Sequence, residues 1–163
     1  GYATPYPVSI GGKAHVAVCS GRAYSAVNVA DGREVWSIRW FTRYGVNAAD
    51  VIAHDGAVFV ASGYRKGCGL FRMEAEPKEI WKNKNLSTQF NSAVKIGDHL
   101  YGFDGDSGGP VKLRCVSWKT GEVAWEHRLG TPIKTSPVIT GNLLLVHDYA
   151  GNLWCFAGQS GDR

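Results

Sequence analysis

Residues 105–110 spell Gly-Asp-Ser-Gly-Gly-Pro, and Val111 follows. The serine, Ser107, is a candidate nucleophile for acyl transfer. That chemistry needs a histidine to take the hydroxyl proton and a carboxylate to orient the histidine. The histidine in the most fitting phrase is His54 in VIAHDG (51–56), 53 residues upstream. His15, His54, His99, His127 and His147 fall in separate strand-like stretches without metal-ligand spacing. His54-Asp55 and His147-Asp148 are chain neighbours, and extended backbone sends neighbours to opposite faces, so neither pair is expected to meet. Cys19, Cys68, Cys115 and Cys155 lie far apart, which argues against zinc and for buried thiols, although four cysteines permit three disulfide pairings.

The elements that must position such residues are short strands. The chain has 163 residues, 44% of them hydrophobic and 20% charged, the balance of a folded globular protein. Glycine (21 residues) and aromatics are plentiful, which favours strands joined by tight turns. The formal charge of +4 is mild and the cations are spread along the sequence, so no nucleic acid partner is implied. No apolar run has the length of a membrane span, so no membrane insertion is expected. The chain opens Gly1-Tyr2 without Met and reads as a piece of something longer.

A fixed period organises the strands. DGREVW (31–36), EPKEIW (76–81) and KTGEVAW (119–125) each place a polar turn before a strand ending in tryptophan, with Trp36, Trp81 and Trp125 spaced 45 and 44 residues apart. Glycine turns at 11–12, 56, 97 and 141, and second turns at 19–24, 63–69, 104–112 and 148–153, keep the same phase. Each unit therefore reads as four antiparallel strands, with boundaries near 1–44, 45–87, 88–131 and 132–163, the last unit incomplete. Units of this length and make-up predict an all-β fold, an open arc of β-propeller blades. Trp36, Trp81 and Trp125 are then expected to pack one blade on the next.

Two resemblances follow from these strings. GDSGGP is similar to the segment around the nucleophile of chymotrypsin-like serine proteases, which implies Ser107 as nucleophile. That family needs two barrels in a longer chain, and the string falls where the other units have their second hairpin turn, so it reads as a loop. TGEVAW (120–125) with SPVITGNLLLVHDYAGNLWCF (136–156) resembles the PQQ-like, or quinoprotein alcohol dehydrogenase-like, propeller family in four registers, EPKEIW departing from the Thr-Gly turn. FNSAVKIGDHLYGFDG (90–105) is similar to PQQ-binding-like repeat proteins of planctomycete-type bacteria.

The resemblance implies about half of an eight-bladed ring and a periplasmic or secreted location. It implies either a non-catalytic binding or scaffold propeller, or a PQQ-dependent alcohol or sugar dehydrogenase. Such dehydrogenases hold the quinone beside adjacent cysteines and a calcium ion on Glu, Asn and Asp; this sequence has no Cys-Cys pair. PQQ with calcium is therefore an expectation for a longer parent, and none is evident in the stretch itself. Second-to-third-strand turns and inter-blade links share one rim, where a protein partner or small ligand is expected. Candidates there are Arg43, Asn47, Arg65, Asn91, Asp104 and Asp148, with Lys66, Asp106 and Tyr149 nearby. The links 39–50 and 83–92 lead into the innermost strands and are expected to place Arg43, Tyr44, Asn47, Asp50, Gln89, Asn91 and Lys134 toward the central channel.

Overall fold

Alternating and fully apolar short runs, punctuated by glycine turns, leave antiparallel strands as the way to pair every backbone group. The computed structural model describes all residues except 75, 107–108, 130–134, 159 and 163, and the described residues form fifteen such strands. In chain order they are β1 (Tyr6–Ile10), β2 (Lys13–Cys19), β3 (Ala23–Asn28), β4 (Glu34–Arg39), β5 (Ile52–His54), β6 (Ala57–Ser62), β7 (Gly67–Arg72) and β8 (Lys78–Asn83). The second half continues with β9 (Val94–Ile96), β10 (His99–Asp104), β11 (Lys112–Ser117), β12 (Val123–Arg128), β13 (Val138–Thr140), β14 (Leu143–His147) and β15 (Leu153–Ala157).

They form three four-stranded sheets, β1–β4, β5–β8 and β9–β12, and a three-stranded sheet, β13–β15, each antiparallel in sequence order. The first strands of neighbouring sheets touch, β1 with β5 and β9 with β13. The architecture is all-β, an open arc of propeller blades.

Each core lies between two blades rather than inside one. Tyr24, Trp36 and Ile38 of the first sheet cluster with Val58, Val60 and Phe71 of the second. Phe59 and Leu70 of the second join Leu100, Val116 and Trp118 of the third, and Tyr101, Phe103 and Leu113 join Leu144 and Phe156 of the fourth. Fully burying a side chain of this size stabilises by about 1.5–3 kcal/mol, which a lone four-stranded sheet cannot gain on both faces. Accordingly β6 is buried at every residue, whereas β2 and β14 of the end sheets alternate.

One irregularity recurs with the repeat. The register shifts between Ala26 and Val27, between Leu70 and Phe71, and between Cys115 and Val116, so Val35, Ile80 and Ala124 have no cross-strand partner. Each is the residue before the blade tryptophan. A bulge there re-aims the side chain that follows it. Trp36 is buried, Trp81 donates its indole N–H to the Trp118 carbonyl at 2.8 Å in the next sheet, and Trp125 stacks on Phe156 at 6.3 Å in the sheet beyond.

The cysteines are all free thiols: Cys68 and Cys115 are buried and Cys19 is half-buried. Cys155 departs from the expectation of burial, because β15 lies in an end sheet and exposes it. Another expectation is corrected at His54-Asp55. Their Nε2 and Oδ2 atoms are 3.3 Å apart because Asp55 turns with φ +47° instead of running extended. His54 lies at the β5–β6 turn, on the rim opposite the β10–β11 loop that holds GDSGGP.

Candidate functional site: a basic and aromatic rim

Antiparallel order sends the turns β2–β3, β6–β7, β10–β11 and β14–β15 to one end of the arc, together with the links β4–β5 and β8–β9. Direct bonds stitch these loops together. Asn47 is fully buried; its Nδ2 donates to the Ser20 carbonyl at 2.9 Å and the Trp40 carbonyl at 2.8 Å, and its Oδ1 accepts from Ser62 Oγ at 2.7 Å. Tyr24 Oη closes the same junction by donating to the Ala61 carbonyl at 2.8 Å, and burial pushes its phenol pKa up.

Further along, Asp50 and Ser92 occupy matching places where the chain enters the first strand of a blade. The Asp50 N–H donates to Ser92 Oγ, Ser92 Oγ donates to Asp50 Oδ2, and the Ser92 N–H donates to Ser136 Oγ, at 2.9, 3.0 and 2.9 Å. Gln89 and Asn91 are buried in this second link, and Lys134 lies outside the described residues.

The rim carboxylates are committed in the same way. Asp104 accepts the Ser87 N–H at 2.9 Å and pairs with Arg114 at 2.7 Å; Arg114 also reaches Glu126 at 3.0 Å and the Asn85 carbonyl at 2.8 Å. Hydrogen bonds from Lys112 and Arg114 hold the Glu126 carboxyl below its usual range. Asp106 accepts the Tyr64 N–H. Asp148, just past β14 at the place that matches Asp104 at the end of β10, accepts Asn152 Nδ2, Trp154 Nε1 and the Asn152 N–H, each at 2.9 Å. Those bonds, Asn152 first and Trp154 next, lower its pKa to about 2.

What the rim leaves exposed is cationic and aromatic. The Gly45 N–H donates to the Thr42 carbonyl at 3.0 Å, closing a turn that presents Arg43 and Tyr44. In the next blade the Lys66 N–H donates to the Gly63 carbonyl at 3.1 Å, closing a turn that presents Tyr64 and Arg65. Both central residues of that second turn have positive φ, 57° and 56°, which costs a side-chain-bearing residue about 1–2 kcal/mol each. The two turns abut: Tyr44 and Tyr64 meet edge to face at 4.9 Å, and the Arg43 guanidinium lies 5.4 Å from the Tyr44 ring. Beside them a solvent-open cleft of about 530 Å³ is lined by Arg65, Lys84, Ser87, Asp104, Gly105 and Asp106. Arg22, Arg39 and Phe41 line a second, smaller recess of about 170 Å³.

Arg43, Arg65, Asp104 and Asp148 thus share one rim with Asn47 and Asn91, but the structure separates them by accessibility. Sequence reasoning missed Arg22, Phe41, Lys84 and Phe90, which line or flank this surface. Their signal was position: each follows a strand or sits in a link of the same phase. Lys66 turns inward, its ammonium 4.9 Å from the Trp40 ring, and burial together with Lys82 lowers its pKa. Of GDSGGP, Gly105 and Asp106 line the cleft, whereas Ser107 lies outside the described residues.

Comparison with known proteins agrees with this architecture. BamB from Moraxella catarrhalis superposes over 91% of this chain and 47% of its own, with a TM-score of 0.65 and 16% identity. The quinohemoprotein alcohol dehydrogenase of Comamonas testosteroni matches 99% of the chain and 34% of its own, at a TM-score of 0.71 and 14% identity. A europium-containing methanol dehydrogenase gives 99%, 40%, 0.70 and 12% in the same terms. The chain spans less than half the length of each of these three proteins. No curated protein matches its sequence. A family model of PQQ-like repeats, described as outer membrane protein assembly factor BamB, matches residues 20–163, and the chain belongs to that PQQ-like propeller family.

Proposed function

We propose that the chain is a non-catalytic binding or scaffold propeller of an extracytoplasmic bacterial protein, holding a protein partner on the rim just described. The observation that carries this is the division of labour on the rim. Asp50, Asp104, Asp106 and Asp148 are bonded to the fold, while Phe41, Tyr44, Phe90 and Tyr149 are 49–75% exposed, Phe41 beside Arg22 and Arg39 and Tyr44 beside Arg43. Aromatic residues and arginine are the types enriched at protein interfaces. The likeness to BamB, named an outer membrane protein assembly factor, supports both the partner and the location.

The test is site-specific photocrosslinking in the full-length protein. A photoreactive residue at Phe90 or Tyr149 is expected to give a discrete adduct, and one at Val29, on the opposite rim, is not. Adducts at Val29 alone, or equally at all three sites, would overturn the reading.

A second reading, a PQQ-dependent alcohol or sugar dehydrogenase, is supported by the likeness to the two dehydrogenases. The residues of this stretch do not fit a calcium-held quinone. Among the described residues no three His, Cys, Asp or Glu side chains gather to hold a metal, and the rim carboxylates are engaged as above. Titration of the full-length protein with PQQ and calcium separates the readings, because a ligand that binds only the folded state raises Tm by mass action. A saturable rise with dye-linked alcohol oxidation favours the dehydrogenase; no rise well above micromolar concentrations favours the scaffold.

A further inference from the structure

We propose that the surface running from the Tyr44–Tyr64 ring pair into the Arg65–Lys84 cleft receives an acidic polypeptide segment of the partner. This rests on the rim being a partner site and names the chemistry of that partner. Arg43-Tyr44 and Tyr64-Arg65 sit at the centres of two turns from adjacent blades; their tyrosines form one edge-to-face ring pair, and the Arg43 guanidinium lies 5.4 Å from the Tyr44 ring. Arg65 and Lys84 then line the cleft beside it, and both are exposed.

The second turn is built to hold this arrangement. Tyr64 and Arg65 both adopt left-handed backbone where glycine is usual. The bond from the Tyr64 N–H to Asp106 of the neighbouring blade and the ring contact with Tyr44 fix that conformation. Backbone strain held by its surroundings is a feature of ligand-binding sites.

Charge of both signs in the cleft selects the occupant. Asp104 and Asp106 line it with Arg65 and Lys84. A nucleic acid backbone brings anionic acceptors for the two cations but no donor for the aspartate oxygens. A polypeptide brings carboxylates for Arg65 and Lys84 together with N–H donors for an aspartate oxygen, and its apolar side chains can cover the tyrosine rings.

The experiment is fluorescence anisotropy on the full-length protein. The probes are a fluorescein-labelled decapeptide of glutamates around one central tyrosine, its glutamine counterpart, and an oligothymidylate of equal charge. Saturable binding of the glutamate peptide is expected, about tenfold tighter than the glutamine peptide. Arg65→Ala with Lys84→Ala, and separately Tyr44→Ala, should each weaken it about five- to tenfold, whereas Arg33→Ala with Lys119→Ala on the opposite rim should not. Equal binding of the glutamine peptide, tighter binding of the oligothymidylate, or indifference to the rim variants would overturn the proposal. Rim adducts in the crosslinking experiment combined with equal peptide binding would leave the partner site standing and remove its acidic specificity.

Discussion

Gly121 lies flat against the indole of Trp81: a β-carbon on Gly121 would stand 2.6 Å from Trp81 Cε3. The same relationship recurs one repeat later, where a β-carbon on Gly161 would stand 2.8 Å from Trp125 Cδ2. Both glycines have positive φ, 73° and 76°. The repeated glycine and tryptophan therefore belong to one contact made across a blade boundary, the tryptophan of one blade covering the glycine turn of the next. Gly121→Ala should lower stability by about 2–4 kcal/mol, combining left-handed strain with overpacking. Gly141→Ala is the control, since Gly141 has φ +59° and nothing within 4 Å. It should lose only the conformational part, and equal urea midpoints for the two variants would refute the ring contact.

Asn47 fastens the first link to two blades. Asn47→Ala would leave the Ser20 and Trp40 carbonyls without their donor, at a cost of about 2–4 kcal/mol. Asn47→Asp is expected to cost more, because an acceptor oxygen of a carboxylate replaces the Nδ2 donor facing both carbonyls. Thermal unfolding of the two variants checks the order.

Asp148 predicts a pH dependence. Its pKa falls from the ordinary 3.8 to about 2 in the fold. The folded chain then binds fewer protons than the unfolded chain between those values, so the contribution is whole above about pH 4 and is lost as pH falls through about 2. The stability advantage of the native chain over Asp148→Asn, read from urea midpoints, should be full at pH 6 and disappear near pH 2. A difference independent of pH would show that the carboxylate charge is not what the Asn152 and Trp154 bonds stabilise.

The thiols should separate by reactivity. Burial pushes Cys68 up to about 12 and Cys115 up to about 11, whereas Cys155 is exposed. With a disulfide reagent at pH 8, Cys155 should react quickly and Cys68 and Cys115 only on unfolding. Rapid modification of Cys68, located by peptide mapping, would contradict its packing in the second core.

The sequence by itself determined the class of fold. Glycine turns in fixed phase and tryptophans 44 or 45 residues apart can repeat so regularly only if each unit is the same small sheet. It also placed Arg43, Arg65, Asp104 and Asp148 on one rim, because turn parity follows from strand order. Only the tertiary structure decided which of them face solvent. Asp104 and Arg114 are ten residues apart and pair because β10 and β11 are neighbours. Tyr44 and Tyr64 meet because two blades pack, and Lys84 shares a cleft with Asp104 and Asp106 of the next blade for that reason. Hydrogen bonding and ring contact across a blade boundary depend on distances of a few ångströms, set by side-chain packing between sheets, and no periodicity along one chain encodes them.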